Sequence, residues 1–300
     1  MADADEESGL HPVHGEQVVA RLGEGLHRTG VLRPDAMARA LAAVEAYRDR
    51  ARGFGAERLL VVATAAVREA GNREEFVGRL ADELGLVVRV VSGDEEARLA
   101  LLGVAAGLPP ETARDRSSYA VLDVGGGSTE LIVARGARYL AAVSVRLGVV
   151  PLVERFLHAD PVDWAEYAAC ADHVSARLAA EAWSELRPLA PRLLVGTAGT
   201  ITTLAALDLG LASYAPSRVQ GHRLTGEAIR RLLSRLGALH VAERARLPCL
   251  EPGRADLIIP GIAVVLAVLA GLGLDELTVS DSGLREGILL DAVGWTPPAD

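Results

Sequence analysis

Apolar positions along the chain switch between a period of two and a period near 3.6, and the switches predict an α/β protein. Glu16 to Leu22 reads as a strand. Leu32-Arg33-Pro34-Asp35 then opens an amphipathic helix to about Arg52, with Pro in the first turn and Gly53 beyond the end. Arg58 to Ala63 reads as a buried strand, and Leu86 to Val91 as another, rich in valine. Between them a helix starts at Asn72, with Glu75 as its capping-box partner. A further helix runs from about Asp94 to Val104.

The second half repeats the alternation. Tyr119 to Val124, Thr129 to Ala134 and Tyr139 to Ser144 read as strands, with hairpin-like spacing that predicts a mixed sheet. A helical region covers about Pro161 to Glu185, followed by a strand at Arg192 to Val195 and a helix at Ile201 to Leu207. Helices near 225–236 and 261–270 precede a strand at Glu276 to Ser280 and a helix from Leu284. Such alternation makes helix-covered sheets. The stretch 109–117, Pro-Pro-Glu-Thr-Ala-Arg-Asp-Arg-Ser, reads as a linker, which divides the chain into 1–117 and 118–300. At 300 residues, two domains of ordinary size are expected.

Composition narrows the chemistry. The chain contains no lysine, which excludes a Walker A loop, a pyridoxal Schiff base and a lysine nucleophile. Cys170 and Cys249 are the only cysteines, so neither a disulfide framework nor a thiolate zinc site is expected, and a reducing, cytoplasmic setting fits. The histidines show no zinc-ligand spacing. A formal charge of −9 argues against bulk nucleic-acid binding. The acidic start is not a signal peptide. Leu257 to Leu274 lacks charge, but Pro260-Gly261, Gly271 and Gly273 interrupt it, so a buried helix rather than a membrane span is expected.

Three segments carry candidate chemistry. Val121 to Val133 reads as strand, Gly125-Gly126-Gly127, a hydroxyl pair, then strand. Consecutive glycines let the backbone approach a ligand, and their amides form an anion-binding concavity to which Ser128 and Thr129 can add hydroxyls. Asp123 ends an apolar strand and is placed to hold a hard cation such as Mg²⁺, and Glu130 is near enough across the hairpin to serve the same ion. A plain glycine-rich turn with solvated carboxylates is the competing reading. Gly196 to Thr203 runs from strand into helix and offers free amides at a helix start, or merely a capped helix. Ser92 to Arg98 joins a strand to a helix. Its acids suit the helix dipole, yet Glu95 and Glu96 point different ways, so one can face a cleft and deprotonate a water. Arg68, Arg98, Arg146, Arg254 and Arg285 stand at element ends and could pair with phosphate.

In order, Ala63 to Ala70, Ser92 to Leu99, Asp123 to Glu130, Gly196 to Thr200 and Ser280 to Gly287 form a set that resembles the exopolyphosphatase / guanosine-pentaphosphate phosphatase (Ppx/GppA) family, in its short form. The resemblance covers essentially the whole chain. It implies two actin-like (ribonuclease H-like) lobes, with mixed sheets flanked by helices and a cleft between them, as in the actin–hexokinase–Hsp70 superfamily. It further implies hydrolysis of the terminal phosphate of inorganic polyphosphate, or of pppGpp, with Mg²⁺, by positioning and electrostatic stabilisation. On this resemblance Glu96 is the general base, and Asp123 and Glu130 are metal-associated. Gly125, Gly126, Gly127 and Ser128 form the phosphate cradle. Gly199 and Thr200 belong to the second-lobe loop, with Arg68 and Arg254 as phosphate partners. The resemblance also implies a homodimer, and the charge balance and the interrupted apolar segment lead to the expectation of no nucleic-acid or membrane partner.

One departure stands out. The family's usual opening, an apolar strand with an Asp-x-Gly-Ser-Asn-Ser type clamp, has no counterpart here. Its loss predicts an open sheet edge in the first lobe, weak activity and a lower melting temperature than a chain extended upstream. A late start site and a truncated or inactive form both remain open. A non-catalytic binder of polyphosphate or an alarmone is therefore one rival reading, and a sugar or acetate kinase of the same superfamily is another.

Overall fold

The structure, a computed structural model, describes residues 1–5, 9–108, 117–136 and 138–296. The linker read at 109–117 lies outside these except for Ser117. The chain opens on a hairpin of β1 (Ala2–Asp5) and β2 (Gly9–Pro12). Helices α1 (Leu26–Thr29) and α2 (Pro34–Gly53) follow, then β3 (Val61–Ala63), α3 (Ala65–Arg68), α4 (Arg73–Leu84), β4 (Val88–Val90) and α5 (Gly93–Gly107). Among the described residues β3 and β4 pair only with each other, in parallel. A small core of Leu32, Met37, Leu41, Phe76 and Leu80 sits beneath them.

The larger unit is built on a six-stranded sheet in the order β7-β6-β5-β8-β10-β9. β5 (Ser118–Val124), β6 (Thr129–Arg135) and β7 (Arg138–Val145) form an antiparallel meander. β8 (Leu193–Thr197) and β10 (Glu276–Val279) add in parallel, and β9 (Arg223–Thr225) closes the far edge antiparallel. The sheet is therefore mixed, as the hairpin spacing predicted. Between strands run α6 (Val149–Phe156), α7 (Trp164–Glu181), α8 (Trp183–Leu186), α9 (Ala198–Asp208), α10 (Pro216–Val219), α11 (Gly226–Gly237), α12 (Val241–Arg244) and α13 (Ile258–Leu272), with α14 (Leu284–Ala292) last. The near-continuous apolar runs of β5 and β6 are buried on both faces, as expected for a sheet covered on both sides. α13 is the uncharged segment, and it is buried along most of its length. Among the described residues no helix is long and apolar enough to cross a membrane.

Helix α5 ties the two halves together. Its Ala97, Ala100, Leu101 and Val104 pack on Tyr119, Val121 and Ile132 of the large sheet. Its other neighbour is α14, at a contact that only glycine permits. A Cβ on Gly287 would lie 1.8 Å from the Leu99 carbonyl oxygen, and one on Gly103 would lie 1.9 Å from that of Gly283.

Several expectations are corrected. Residues 16–22 are not a strand: Val19 N–H donates to Glu251 at 2.9 Å and Arg21 is clamped by Asp256, so this backbone bonds to a loop instead of a ladder. The strand at 58–63 shrinks to three half-buried residues, with Leu59 and Leu60 exposed. Asn72 makes no cap bond, because its amide is paired with both backbone groups of Leu32, at 2.8 and 3.0 Å. The helical region at 161–185 begins at Trp164, capped by Asp163, and is broken after Glu181. Gly53 is the last residue of α2, not the residue past it.

Candidate active site

The glycine loop joins β5 to β6 and is gripped from behind. The first-turn amides of α6, on Val149 and Val150, donate to the carbonyls of Gly125 and Gly126 at 3.1 and 3.0 Å. In a trans peptide the next N–H points opposite to the carbonyl. The amides of Gly126 and Gly127 are thereby turned away from α6, and both residues line a cavity of about 360 Å³. Among the described residues these amides and that of Ser128 meet no protein acceptor, whereas the Gly125 amide donates to the Ser128 carbonyl at 2.9 Å. The grip requires Gly148, where a Cβ would fall 2.2 Å from the Gly127 carbonyl carbon.

Asp123 and Glu130 are directly opposed across β5 and β6, so their side chains share one face. Glu130 is buried, and one of its oxygens accepts from Ser128 at 2.6 Å and from Ser144 at 2.9 Å. The Ser128 hydroxyl is thus committed to Glu130, and only its amide is left for an anion. Burial together with the neighbouring Glu96 charge pushes the Asp123 carboxyl up to about 7. Burial, Asp123 and Glu96 push Glu130 up to about 8, against the pull of the two hydroxyls.

Glu96 sits in the first turn of α5, whose start is capped by Ser92. It is buried and lines the same cavity as Asp123, Glu130 and the glycine loop. Arg68 donates to Glu96 at 2.9 Å and to the Val91 carbonyl at 2.9 Å. The structure therefore places Arg68 on Glu96, not free in the cleft. Glu95, its neighbour in sequence, faces outward and pairs with Arg89. The divergence expected of adjacent helical acids is realised.

The second loop enters from the opposite wall. Ala198, Gly199 and Thr200 begin α9, where amides lack helical acceptors, and all three line the cavity. Ala198 has φ 67°, which bends the chain sharply into the helix. Arg254 lies flat on Gly199: a Cβ there would come within 2.3 Å of the guanidinium carbon. Arg254 also donates to the Gly199 carbonyl at 3.3 Å, and burial lowers its pKa. The Thr200 side chain packs against Gly261, so it contributes its backbone alone.

All of the site residues implied by the family resemblance except Arg68 line this one cavity, and Arg68 reaches it through Glu96, whereas Thr129 donates its hydroxyl to the Leu147 carbonyl and Arg98, Arg146 and Arg285 stand outside. Sequence reasoning missed Ser144 and Gly148, as well as the strap 17–23 that roofs the cavity. A serine in an otherwise apolar strand and a glycine just before a helix were the available signals. Nothing in residues 17–23 marked a roof, since its partners lie some 230 positions away.

The residues suit a hard divalent cation. The donors are all oxygens, Asp123 has no hydrogen-bond partner among the described residues, and Glu130 keeps one oxygen unbound. Two carboxylates are an ordinary protein complement for Mg²⁺, whose remaining positions go to water and substrate phosphate.

Comparison with known proteins finds relatives along nearly the whole chain. The family model described as the Ppx/GppA phosphatase family matches residues 1–295. Exopolyphosphatase 2 of Mycobacterium tuberculosis is 36% identical over 294 residues, covering 95% of this chain and 90% of that protein. The crystal structure of the Aquifex aeolicus family member aligns at 32% identity with a TM-score of 0.76, over 96% of this chain and 91% of its own. An exopolyphosphatase from Cytophaga hutchinsonii aligns at 25% identity with a TM-score of 0.88, over 99% and 95%. With its two-lobed, actin-like α/β fold and hydrolase relatives across nearly its full length, this chain belongs to the Ppx/GppA phosphatase family.

Proposed function

We propose that this chain is an exopolyphosphatase, removing the terminal phosphate of inorganic polyphosphate. The observation that carries the reading is the pair of outward amides at Gly126 and Gly127, facing a cavity that also holds the Glu96 carboxylate. Relatives described as exopolyphosphatases support the substrate class.

In this reading the terminal phosphoryl group rests on the amides of Gly126, Gly127 and Ser128, with those of Gly199 and Thr200 across the cleft. Glu96, held by Arg68 through one oxygen, accepts a proton from a water with the other. The water oxygen attacks the terminal phosphorus, the bridging P–O bond breaks, and its electron pair leaves with the shortened chain. Arg254 adds positive charge on the α9 side. Asp123 and Glu130 would hold Mg²⁺, which when bound neutralises phosphate charge. The catalysis is positioning and charge stabilisation, with no covalent step by the protein.

The test is phosphate release from polyphosphate with and without Mg²⁺, wild type against Glu96→Gln. Turnover by the wild type and its loss in the variant are expected. Release from pppGpp with none from polyphosphate would transfer the same chemistry to a nucleotide substrate. Ligand binding unaffected by Glu96→Gln, with no turnover of either substrate, would make the chain a binder.

A further inference from the structure

The catalytic cavity continues past Gly127 into a second cavity of about 400 Å³, and the two share Gly23, Ala65, Ala66 and Gly127 in their walls. Three guanidinium groups line this arm: Arg146 after β7, Arg155 on α6 and Arg177 on α7. Among the described residues a single carboxylate lines it, Glu69, already paired with Arg146 at 3.2 Å. Arg177 is paired with Glu181. Arg155 has no carboxylate partner among the described residues. It lies 4.9 Å from the Phe156 ring centre, and the other neighbour of that ring is His173.

On the opposite side the cavity opens into a larger space of about 660 Å³ with the reverse polarity. Glu16, Glu251, Asp281 and Glu286 line it, against Arg254 and Arg285. In a chain of net charge −9, a concave surface with an excess of arginine is a local exception. Charge of one sign in a cleft focuses the field and draws in the opposite ion. Arginine suits phosphate oxygens better than any other side chain, by its planar fork and permanent charge.

We propose that the phosphates behind the scissile bond leave the catalytic cavity past Gly127 and lie along Arg146, Arg155 and Arg177, so that this arm sets the preference for chain length. The inference rests on the polyphosphate reading above and adds the direction of the chain and the residues that hold it. A polyanion is repelled from the acidic arm and accommodated in the basic one.

The experiment compares tripolyphosphate with long-chain polyphosphate on wild type and on Arg146→Gln, Arg155→Gln and Arg177→Gln, singly and combined. For the combined variant KM for the long chain should rise about tenfold or more, the cost of one good phosphate contact. Its kcat should hold, and kcat/KM for tripolyphosphate should change little. The difference should shrink with added salt. Binding of long-chain polyphosphate, measured directly in a Glu96→Gln background, should weaken in parallel. Unchanged long-chain KM and binding, or equal losses on both substrates, would overturn the arm. Weaker binding of pppGpp with polyphosphate untouched would do the same, by making it a nucleotide site. A wild type that turns over no polyphosphate defeats the functional reading instead, and the binding measurement still decides whether the arm holds the chain.

Discussion

Nη1 of Arg68 donates to the Glu96 carboxylate and to the Val91 carbonyl, both at 2.9 Å. One guanidinium thus fixes the acid that faces the cleft to the end of β4, the strand that leads into its own helix. Glu96 lines the cavity with one oxygen engaged by Arg68. The pair joins α3 to α5, two elements that sequence spacing does not connect.

Replacing Glu96 by Gln keeps the shape and removes the basic oxygen. We expect kcat for phosphate release to fall by about 10²–10⁴-fold, the usual worth of a positioned general base. Polyphosphate binding and melting temperature should stay close to wild type. Retention of kcat within a few-fold would remove Glu96 from the base role.

The raised Asp123 and Glu130 carboxyls give a signed pH dependence. Their folded-state values, about 7 and about 8, exceed those of an unfolded chain, near 4. Between those limits the folded state binds more protons, so stability falls as pH rises through this window. Without divalent metal, the melting temperature should drop by several degrees more in wild type, between pH 5 and 8, than in the Asp123→Asn/Glu130→Gln double variant. Mg²⁺ should restore it more at pH 8 than at pH 5, since only the ionised pair attracts a cation. Identical profiles for the two proteins would show that the pair does not titrate this way.

Ser144→Ala removes one of the two hydroxyls that hold Glu130. Partners of this kind orient a metal-binding carboxylate, and their loss typically costs about 10–100-fold in metal affinity or activity. The Mg²⁺ concentration for half-maximal activity should rise, with saturating kcat largely recovered. A variant with an unaltered Mg²⁺ titration would separate Ser144 from the metal.

At Gly148 a methyl group meets the backbone of the glycine loop, not a yielding side chain. Gly148→Ala should cost about 1–3 kcal/mol in stability, as overpacking does, and displace the Gly126 and Gly127 amides. Activity should fall more than tenfold while the protein still unfolds cooperatively, read by calorimetry beside the kinetic assay. Full activity with only a lowered melting temperature would mean that the loop position is not critical.

The elements of the large sheet were legible because their patterns are local. β5, β6 and β7 have strong valine and leucine runs and tight connections, and each fell within about a residue of its expected limits. The weaker first half was harder to read. Residues 16–22 have strand composition, yet their hydrogen bonds go to Glu251, Gly253 and Asp256. Asn72 looks like a helix cap, but its amide serves Leu32. In both cases a distant partner outbid the local preference.

The sequence by itself determined the mixed α/β architecture and the glycine loop with Asp123 and Glu130 at its ends, because residue type and short-range spacing carry that information, whereas Glu96 and Arg254 were singled out by the family resemblance. Only the tertiary structure decided which oxygens and amides are free. It turned the Ser128 hydroxyl to Glu130, put Arg68 on Glu96, packed Thr200 into the core and left Gly126 and Gly127 facing the cavity. Those choices depend on which surfaces helix α6, helix α14 and the strap at 17–23 bring together, and hydrogen bonds between residues far apart in the chain have no periodicity to read.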